Sequence, residues 1–334
     1  MSAATRTLAA RAAGRTTVRT LIATFALACS APALAPAARA EGAGPRFFAT
    51  PEEAVRALVE TVKAGELDRL VALFGPEGRE LVDTSDPATG RRNREVFLAA
   101  IAEGFSLADK GEDRKELVLG NEGWPFPVPI VRGASGWSFD AAAGQEEVLD
   151  RRIGRNELAV IRILHEYVAA QRAYAATGHD GKRAGVYARR LGSDPGTHNG
   201  LYWPARRGEP RSPLGVLIAK ASEAGYRRGR EGEGRTPLHG YYFRILEGQG
   251  ASARGGAAEY VVGGEMSGGF GLVAWPVHYD ASGVMTFVVN QDGVAYEKDL
   301  GPETATLVAA IARYDPDGTW HPLGADSGGT PSRM

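Results

Sequence analysis

Histidines are the first residues to weigh, because imidazole binds metals and transfers protons near neutral pH. The chain of 334 residues has six: His165, His179, His198, His239, His278 and His321. No two of them have the H-x-x-x-H spacing of a zinc site, and H-E-x-x-H is absent. His239 and His278 flank strands that should be neighbours, so only the fold could join them in a metal site. The sequence thus predicts ordinary hydrogen bonding for these side chains and no metal.

Motifs for other chemistries are incomplete. The run GADSGGTP at residues 324–331 resembles the serine motif of trypsin-like proteases, but such enzymes need further barrel sequence downstream, and here three residues follow. The run GHDGKR at residues 178–183 has Arg where a phosphate-binding loop has Ser or Thr after the lysine. Asp292, Glu297 and Asp299 lie on or after one predicted hairpin, where a turn and a solvated strand end account for them. We therefore predict no catalytic residue and no cofactor.

The first 40 residues have the pattern of a secretory signal peptide. Arg6, Arg11, Arg15 and Arg19 precede the apolar run LIATFALA, and Ala38-Arg39-Ala40 places small residues where signal peptidase requires them. Cleavage after Ala40 would give a periplasmic or secreted protein. The alternative is a lipoprotein whose mature chain begins at Cys29. The apolar run is shorter than the ~20 residues of a membrane span, and we expect no transmembrane segment in the mature chain.

Export changes the charge and the redox chemistry of the mature protein. Residues 1–40 hold five of the 39 basic residues and none of the 40 acidic ones, so the mature net charge is about −6. This charge argues against nucleic acid as a partner. The one cysteine, Cys29, leaves with the signal under cleavage after Ala40, so disulfides cannot contribute to stability.

Residues 41–147 are predicted to form an N-terminal α+β unit. Thr50-Pro51-Glu52-Glu53 has the composition of a helix start, and Gly65 should end that helix. The polar stretch 83–93 indicates a loop, and strands are predicted from residue 116 onwards. Pro125, Pro127 and Pro129 alternate as in an edge strand. Four aromatic residues supply bulk for a small core in this region: Trp124, Phe126, Trp137 and Phe139.

Residues 148–322 are predicted to form a second unit around one long helix, Val148 to Thr177. Apolar residues recur at three- and four-residue steps, and Gln171 falls on their side. The opposite side carries a candidate interaction face, formed by Arg162, Glu166 and Arg172. Candidate strands lie at 241–247, 269–276, 284–290 and 294–297, with a hairpin turn at Asn290-Gln291-Asp292-Gly293. A last helix is expected at 302–314, followed by a disordered tail at 323–334.

Several stretches resemble known families. The runs GNEGWPFPVPIV, PLHGYYFRIL and GGFGLVAWPVHYDASGVMTFVVNQDGVAYEKDLG resemble the exported bacterial family catalogued as domain of unknown function 2950, from about Phe47 to about Pro322. The opening EEAVRALVETVKAGELDRLVALFGPEG is similar to helices of nuclear transport factor 2-like folds. This resemblance implies a pocket between helices and sheet, for which Trp124, Trp137 and Phe139 are the candidate residues. The long helix with its following strands is similar to type IV pilin and pseudopilin globular domains. Pilins begin with a membrane-spanning half-helix, whereas this helix is internal.

The sequence as a whole predicts an α+β protein in which the N-terminal helix-plus-curved-sheet unit packs with a pilin-like unit. The absence of a catalytic constellation and the export signal favour a non-catalytic binding or assembly component of the cell envelope, with a protein partner. The alternative is a small-ligand-binding protein or enzyme that uses the N-terminal pocket.

Overall fold

The computed structural model describes residues 44–82, 87–204, 207–208, 210–215 and 237–323. It confirms the α+β class and divides the chain into two units, Met1–Arg152 and Ile153–Met334. The predicted signal peptide, the motif at 324–331 and all but the first residue of the predicted tail lie outside the described residues. None of the helices within the described ranges is long and apolar enough to cross a membrane.

The first unit opens with helices, and the first of them is capped at both ends. The described helices are α1 (Pro51–Ala64), α2 (Leu67–Phe74), α3 (Arg79–Val82) and α4 (Pro87–Glu103). The predicted start of α1 is confirmed: Thr50 Oγ1 accepts a hydrogen bond from the Glu53 amide at 3.2 Å. Gly65 ends α1 with a φ of 72°, a conformation that suits glycine. The loop predicted at 83–93 is wrong from Pro87 onwards, because α4 begins there, and Arg91 and Arg92 are exposed polar residues of this helix.

An antiparallel sheet completes the first unit. Its strands are β1 (Phe105–Asp109), β2 (Arg114–Leu119), β3 (Trp124–Pro125), β4 (Ile130–Gly133) and β5 (Gly136–Phe139), in the order β1-β2-β4-β5 with β3 also paired to β2. Phe48 adds a backbone pair to Trp137, with both N···O distances at 2.8 Å. The predicted edge strand through the alternating prolines is wrong beyond Pro125. Pro127 and Pro129 instead lie between β3 and β4, because proline has no N–H for a ladder.

The long helix α5 (Ala141–Ala175) has 35 residues and contains both the predicted unit boundary and the observed one. It begins seven residues before the predicted start at Val148. Asp140 accounts for the earlier start, because its Oδ1 accepts from the Ala143 amide at 3.0 Å and caps the helix.

The second unit is built on a five-stranded antiparallel sheet. Its strands are β6 (Tyr241–Leu246), β11 (Gly271–Pro276), β12 (Met285–Asn290), β13 (Ala295–Asp299) and β14 (His321–Pro322), in the order β14-β13-β12-β11-β6. Two short pairs lie outside it: β7 (Gly248–Gln249) with β8 (Ala258–Glu259), and β9 (Val261–Val262) with β10 (Glu265–Met266). The four predicted strands and the hairpin turn are confirmed. The last helix, α6 (Thr304–Ala310), is shorter than predicted.

Both faces of this sheet are covered, which explains why β11 and β12 are buried throughout. Alternate side chains such as Leu272 and Phe287 pack in one cluster with Leu164 and Tyr167 of α5. Their neighbours in sequence point to the other face and form a second cluster with α6, which contains Val273, Trp275, Val288, Val308 and Tyr314. The period of two along each strand therefore divides the core of this unit into two layers.

Candidate functional site

A cavity of about 460 Å³ opens on the face of the second sheet that carries α6. Its lining is aromatic, cationic and small apolar: Tyr242, Arg244, Trp275, Ala305, Val308 and Ala309. Pockets that hold small ligands or partner side chains have volumes of roughly 300–1,000 Å³ and combine apolar walls with a few polar groups. This cavity has both properties.

The lining residues come together through strand alternation and pairing. Tyr242 and Arg244 are two residues apart on β6 and so share a face, and Trp275 of β11 lies directly opposite Tyr242 in the ladder. Ala305 and Ala309 are four residues apart on α6, on the same side of the helix. Their methyl groups leave space beside the sheet that larger side chains would fill.

Arg244 fastens the end of α6 to the sheet. Its Nη2 donates hydrogen bonds to the carbonyl oxygens of Val308 at 2.7 Å and Ile311 at 2.6 Å, at the C-terminal end of the helix. The Val308 carbonyl also accepts the Ile311 amide at 3.1 Å. The guanidinium carbon lies 5.7 Å from the centre of the Trp275 ring, a cation–π distance. The Tyr242 ring lies 5.8 Å from the same indole. Contacts within the protein thus hold the Arg244 guanidinium in one position.

A buried hydroxyl occupies the same row of the sheet as Trp275. The register that pairs Ala274 with Phe287 places Trp275 level with Thr286. Thr286 is fully buried, and its Oγ1 has no hydrogen-bond partner within the described part of the protein. Buried hydroxyls normally have a partner, and ordered water is a common one.

Glu157 of α5 is the centre of a second group of polar contacts, which holds this helix against the sheet. Glu157 Oε1 accepts from the amides of Val284 and Met285, both at 2.9 Å, and lies 3.3 Å from the Tyr241 hydroxyl. That hydroxyl is also 3.0 Å from the Met285 carbonyl, to which it can donate. Burial raises the pKa of Tyr241, and the neighbouring Glu157 raises it further. These hydrogen bonds connect α5 to β12. Because Oε1 already accepts from these donors, Glu157 is a poor candidate for a general base.

Two of the histidines share an aromatic cluster on the loop after α5. His179 stacks on Tyr174 with ring centres 4.2 Å apart, and His198 lies 4.4 Å from the Trp203 ring. Burial raises the pKa of Tyr174 to about 12 and lowers the pKa of His179. The Tyr174 hydroxyl donates to the His198 carbonyl at 2.8 Å, which fixes the loop to the helix. Among the described residues, no group of three or more His, Cys, Asp or Glu side chains could hold a metal ion.

The predicted interaction face lies on the outer side of α5. Arg162 and Arg172 are exposed and Glu166 is half-buried. Arg172 Nη2 donates to the Gln291 carbonyl at 2.9 Å, so one member of this face also supports the hairpin turn after β12. A binding role for the face stays a prediction.

The predicted N-terminal pocket residues belong to an aromatic cluster. Phe139 is 1% exposed, and its ring lies 5.2 Å from Phe74 and 6.5 Å from Phe126. Trp124 is half-buried and reaches the cluster through Phe126, at 6.3 Å. Trp137 is buried on the same strand as Phe139. The structure thus connects Trp124 with Phe139 through one ring, and their role in a pocket stays a prediction.

The residues of the cavity were not singled out in the sequence. Tyr242 and Arg244 lie in a correctly predicted strand, and their alternation places them on one face. No pattern in the sequence indicates which strand pairs beside them or that α6 lies over that face. Their types could have drawn attention, because Tyr, Trp and Arg are the side chains most enriched at binding hot spots.

Fold and cavity together define an α+β protein of two units, the second of which carries an open site lined by Tyr, Trp and Arg side chains. The chain belongs to the family described as "Protein of unknown function (DUF2950)", whose sequence profile matches residues 45–323. This match confirms the first of the predicted resemblances. No curated protein and no solved structure matches the chain, so the similarities to pilins and to nuclear transport factor 2-like folds stay predictions.

Proposed function

We propose that this protein is exported to the cell envelope and acts there as a non-catalytic binding component that holds a protein partner. The observation that carries the proposal is the cavity beside α6. Tyr242, Arg244 and Trp275 meet in it, and these are the three residue types that dominate binding energy at protein interfaces.

The geometry of Arg244 favours binding. Ordering a long side chain at an interface costs roughly 0.5–1.5 kcal/mol. Here the carbonyls of Val308 and Ile311 and the ring of Trp275 already order the guanidinium. A partner that contacts Arg244 therefore meets a preformed surface and avoids much of this cost.

The same cavity offers little for catalysis. A general acid or base must gain and lose a proton near the working pH. Arg244 remains protonated at any physiological pH, and the other five described lining residues are tyrosine, tryptophan, valine and two alanines. This composition supports recognition over proton transfer.

Crosslinking from the cavity tests the proposal. A photoreactive benzoylphenylalanine would replace Ala309 in the full-length chain, expressed in a bacterial host and illuminated in intact cells. Leu307 is the matched control, since it is 46% exposed on the same helix and does not line the cavity. We expect one reproducible protein adduct from position 309, none from position 307, and loss of the adduct in Tyr242→Ala. Failure to obtain any reproducible protein adduct from position 309 would refute partner binding at the cavity.

A charge reversal separates the cavity from the predicted interaction face of α5. The variant Arg162→Glu, Glu166→Arg, Arg172→Glu should leave the adduct at position 309 unchanged if the partner occupies the cavity. Loss of the adduct in this variant, with no loss in Tyr242→Ala, would move the binding site to the outer side of α5.

Export is the part of the proposal that rests on the sequence, through Arg6 to Ala40 and the alternative at Cys29. Fractionation and the intact mass of the processed chain test it. A mature start at Glu41 supports secretion after Ala40. A lipid adduct at Cys29, abolished in Cys29→Ser, supports the lipoprotein alternative. A chain that keeps Met1 and remains in the cytoplasm would overturn export.

The volume of the cavity favours a second candidate, a binder of small molecules. About 460 Å³ is enough for a ligand of metabolite size. A thermal-shift screen of metabolites would reveal it, because a ligand that binds the native state raises the melting temperature. The shift should disappear in Ala309→Trp, which fills the cavity.

A further inference from the structure

We infer that the partner binds as an extended segment along the outer edge of β6, adds a strand to the five-stranded sheet, and places one apolar side chain in the cavity. This inference rests on the proposed function and states how the partner is held. β6 is the last strand in the order β14-β13-β12-β11-β6, so one of its edges faces away from β11. Where a peptide adds to such an edge, main-chain hydrogen bonds give affinity and a pocket for an alternate side chain gives specificity.

Hydrogen bonds at the start of β6 show which backbone groups point outwards. The Val277 amide donates to the Gly240 carbonyl at 2.9 Å, so Gly240 and every second residue after it bond to β11. Tyr241 points the other way. Its carbonyl accepts from the Leu238 amide at 2.9 Å, and its amide donates to the Leu238 carbonyl at 3.1 Å.

Backbone groups in the middle of this outer edge are open. By alternation, the N–H and C=O groups of Phe243 and Ile245 point to the same side as those of Tyr241. Within the described ranges of the chain, no residue is hydrogen-bonded to them. The edge is closed again at Glu247, whose carbonyl accepts from the Tyr260 amide at 3.0 Å. A second peptide backbone in extended form offers donors and acceptors at the spacing of the open groups, and this favours a protein segment as the occupant.

The side chains of an added strand would alternate between the two faces of the sheet. The residue opposite Arg244 would point to the face that carries α6, where the cavity opens beside β6. Its two neighbours would point to the other face and cover Phe243 and Ile245, which are half-buried apolar side chains at the rim of the core. The segment should therefore have three consecutive apolar residues, since each of them removes apolar surface from water.

The residue in the cavity should be uncharged, because the charge of Arg244 is already engaged within the chain. Its guanidinium is bound to the carbonyls of Val308 and Ile311 and lies over the ring of Trp275. This arginine therefore holds α6 against the sheet. The other lining residues are aromatic or apolar: Tyr242, Trp275, Ala305, Val308 and Ala309. A charged side chain of the partner would lose water in this setting without gaining a partner, which is costly.

The test begins with a selection from a random heptapeptide library displayed on phage, against the full-length chain purified as processed by its bacterial host. We expect enriched peptides with three consecutive apolar residues, mostly β-branched or aromatic. Methylation of the backbone nitrogen should weaken the best peptide about tenfold or more at every second residue, because each of those amides would donate to β6. Methylation at the residues between should have little effect. A change of the central apolar residue to Asp or to Lys should also weaken binding.

Hydrogen exchange, measured residue by residue, locates the added strand on the unaltered protein. The amides of Phe243 and Ile245 should exchange quickly in the free protein and about tenfold more slowly with saturating peptide. The amides of Tyr242 and Arg244 are the internal control, because they bond to β11 and should change less.

Two tryptophan variants connect the peptide to the cavity. Ala309→Trp fills the cavity and should weaken the peptide about tenfold or more, since the apolar side chain loses its place. Leu307→Trp is the matched control, because Leu307 is exposed on the same helix and does not line the cavity. It should leave the affinity unchanged.

The outcomes separate this inference from the proposed function. Protection of Phe243 and Ile245 in the free protein, equal to that of Tyr242, would mean that the edge is already occupied and would overturn the inference. Peptides that need the cavity, yet show no alternate methylation pattern and no protection of β6, would overturn the added strand and leave partner binding in place. Peptides that bind equally well to Ala309→Trp, or a selection without consensus, would count against the cavity as a docking site and so against both.

Discussion

The side-chain amide of Gln171 binds both backbone groups of a buried residue in the second unit, as a neighbouring strand would. Replacing Gln171 with leucine removes these hydrogen bonds. Gln171 is 0% exposed, and its Nε2 donates to the Ala188 carbonyl at 2.8 Å. Its Oε1 accepts from the Ala188 amide at 2.9 Å, so one side chain satisfies both backbone groups of a buried residue. The same Nε2 lies 3.1 Å from the Tyr167 hydroxyl, which donates to the Gly271 carbonyl. Gln171 therefore ties α5, the loop after it and the sheet together.

The expected cost follows from the groups that lose partners. Each buried backbone group left unsatisfied costs about 1–3 kcal/mol. Gln171→Leu leaves two such groups at Ala188, and the extra apolar surface of leucine returns about 1 kcal/mol. We therefore expect a loss of about 1–5 kcal/mol in the free energy of opening this region, compared with about 5–15 kcal/mol for the whole stability of an ordinary domain.

Native-state hydrogen exchange is the appropriate assay, because a chain with two units need not unfold in one step. The Ala188 amide should exchange about fivefold faster or more in Gln171→Leu, since 1.4 kcal/mol is a factor of ten. Gln145→Leu is the control: that side chain bonds the Glu77 carbonyl near the surface, and its loss should cost no more than about 1 kcal/mol. Unchanged protection of Ala188 in Gln171→Leu would refute the reasoning.

Three further results are expected. Gly283→Ala should destabilise the protein by about 1–3 kcal/mol in urea denaturation, because the added methyl group collides with the ring and hydroxyl of Tyr241. Burial lowers the pKa of His179 and of His239, so the unfolded state takes up protons first, and the urea midpoint should fall as the pH drops below about 6.5 towards 5. Thr50→Ala removes the cap of α1 and should cost about 1 kcal/mol, measured in the same way.

Each of these predictions has a control that reverses or removes the effect. Gly154→Ala adds a methyl group to open space within α5 and should stabilise the helix by about 0.5–1 kcal/mol. The double variant with asparagine at positions 179 and 239 should flatten the decline between pH 7 and 5. A decline of unchanged slope would assign it to other groups. Thr50→Ser keeps the capping oxygen, and a loss equal to that of Thr50→Ala would exclude the cap as the cause.

Local signals in the sequence predicted the elements well and their ends less well. The start of α1, the hairpin after Asn290 and four strands of the second unit depend on residues within a few positions of one another, and all are confirmed. Errors arose where polarity was taken as a loop signal. Arg91 and Arg92 are polar because they are exposed residues of α4, not because they belong to a loop. Pro127 and Pro129 lie between β3 and β4, since proline cannot donate to a ladder.

Gln171 and Arg244 show how far sequence patterns extend. The helical period placed Gln171 on the apolar side of α5, but its partner Ala188 is 17 positions away on a loop. Arg244 was placed on a strand, yet one of the carbonyls it holds is 67 positions further along the chain. Side-chain types and local periods can be read from the sequence. Partners at such separations depend on strand register and on loops that no short pattern specifies.

The sequence by itself determined the α+β class, the long helix, the sheet of the second unit and the membership in the family, because hydrophobic periods, caps and turn residues act over a few positions. Only the tertiary structure decided where a binding site could lie. Tyr242 and Arg244 meet Trp275 through the pairing of β6 with β11, and α6 completes the cavity from a separate part of the chain. The physical reason is that a cavity is a property of side chains brought together by packing, and packing depends on contacts that are distant in sequence.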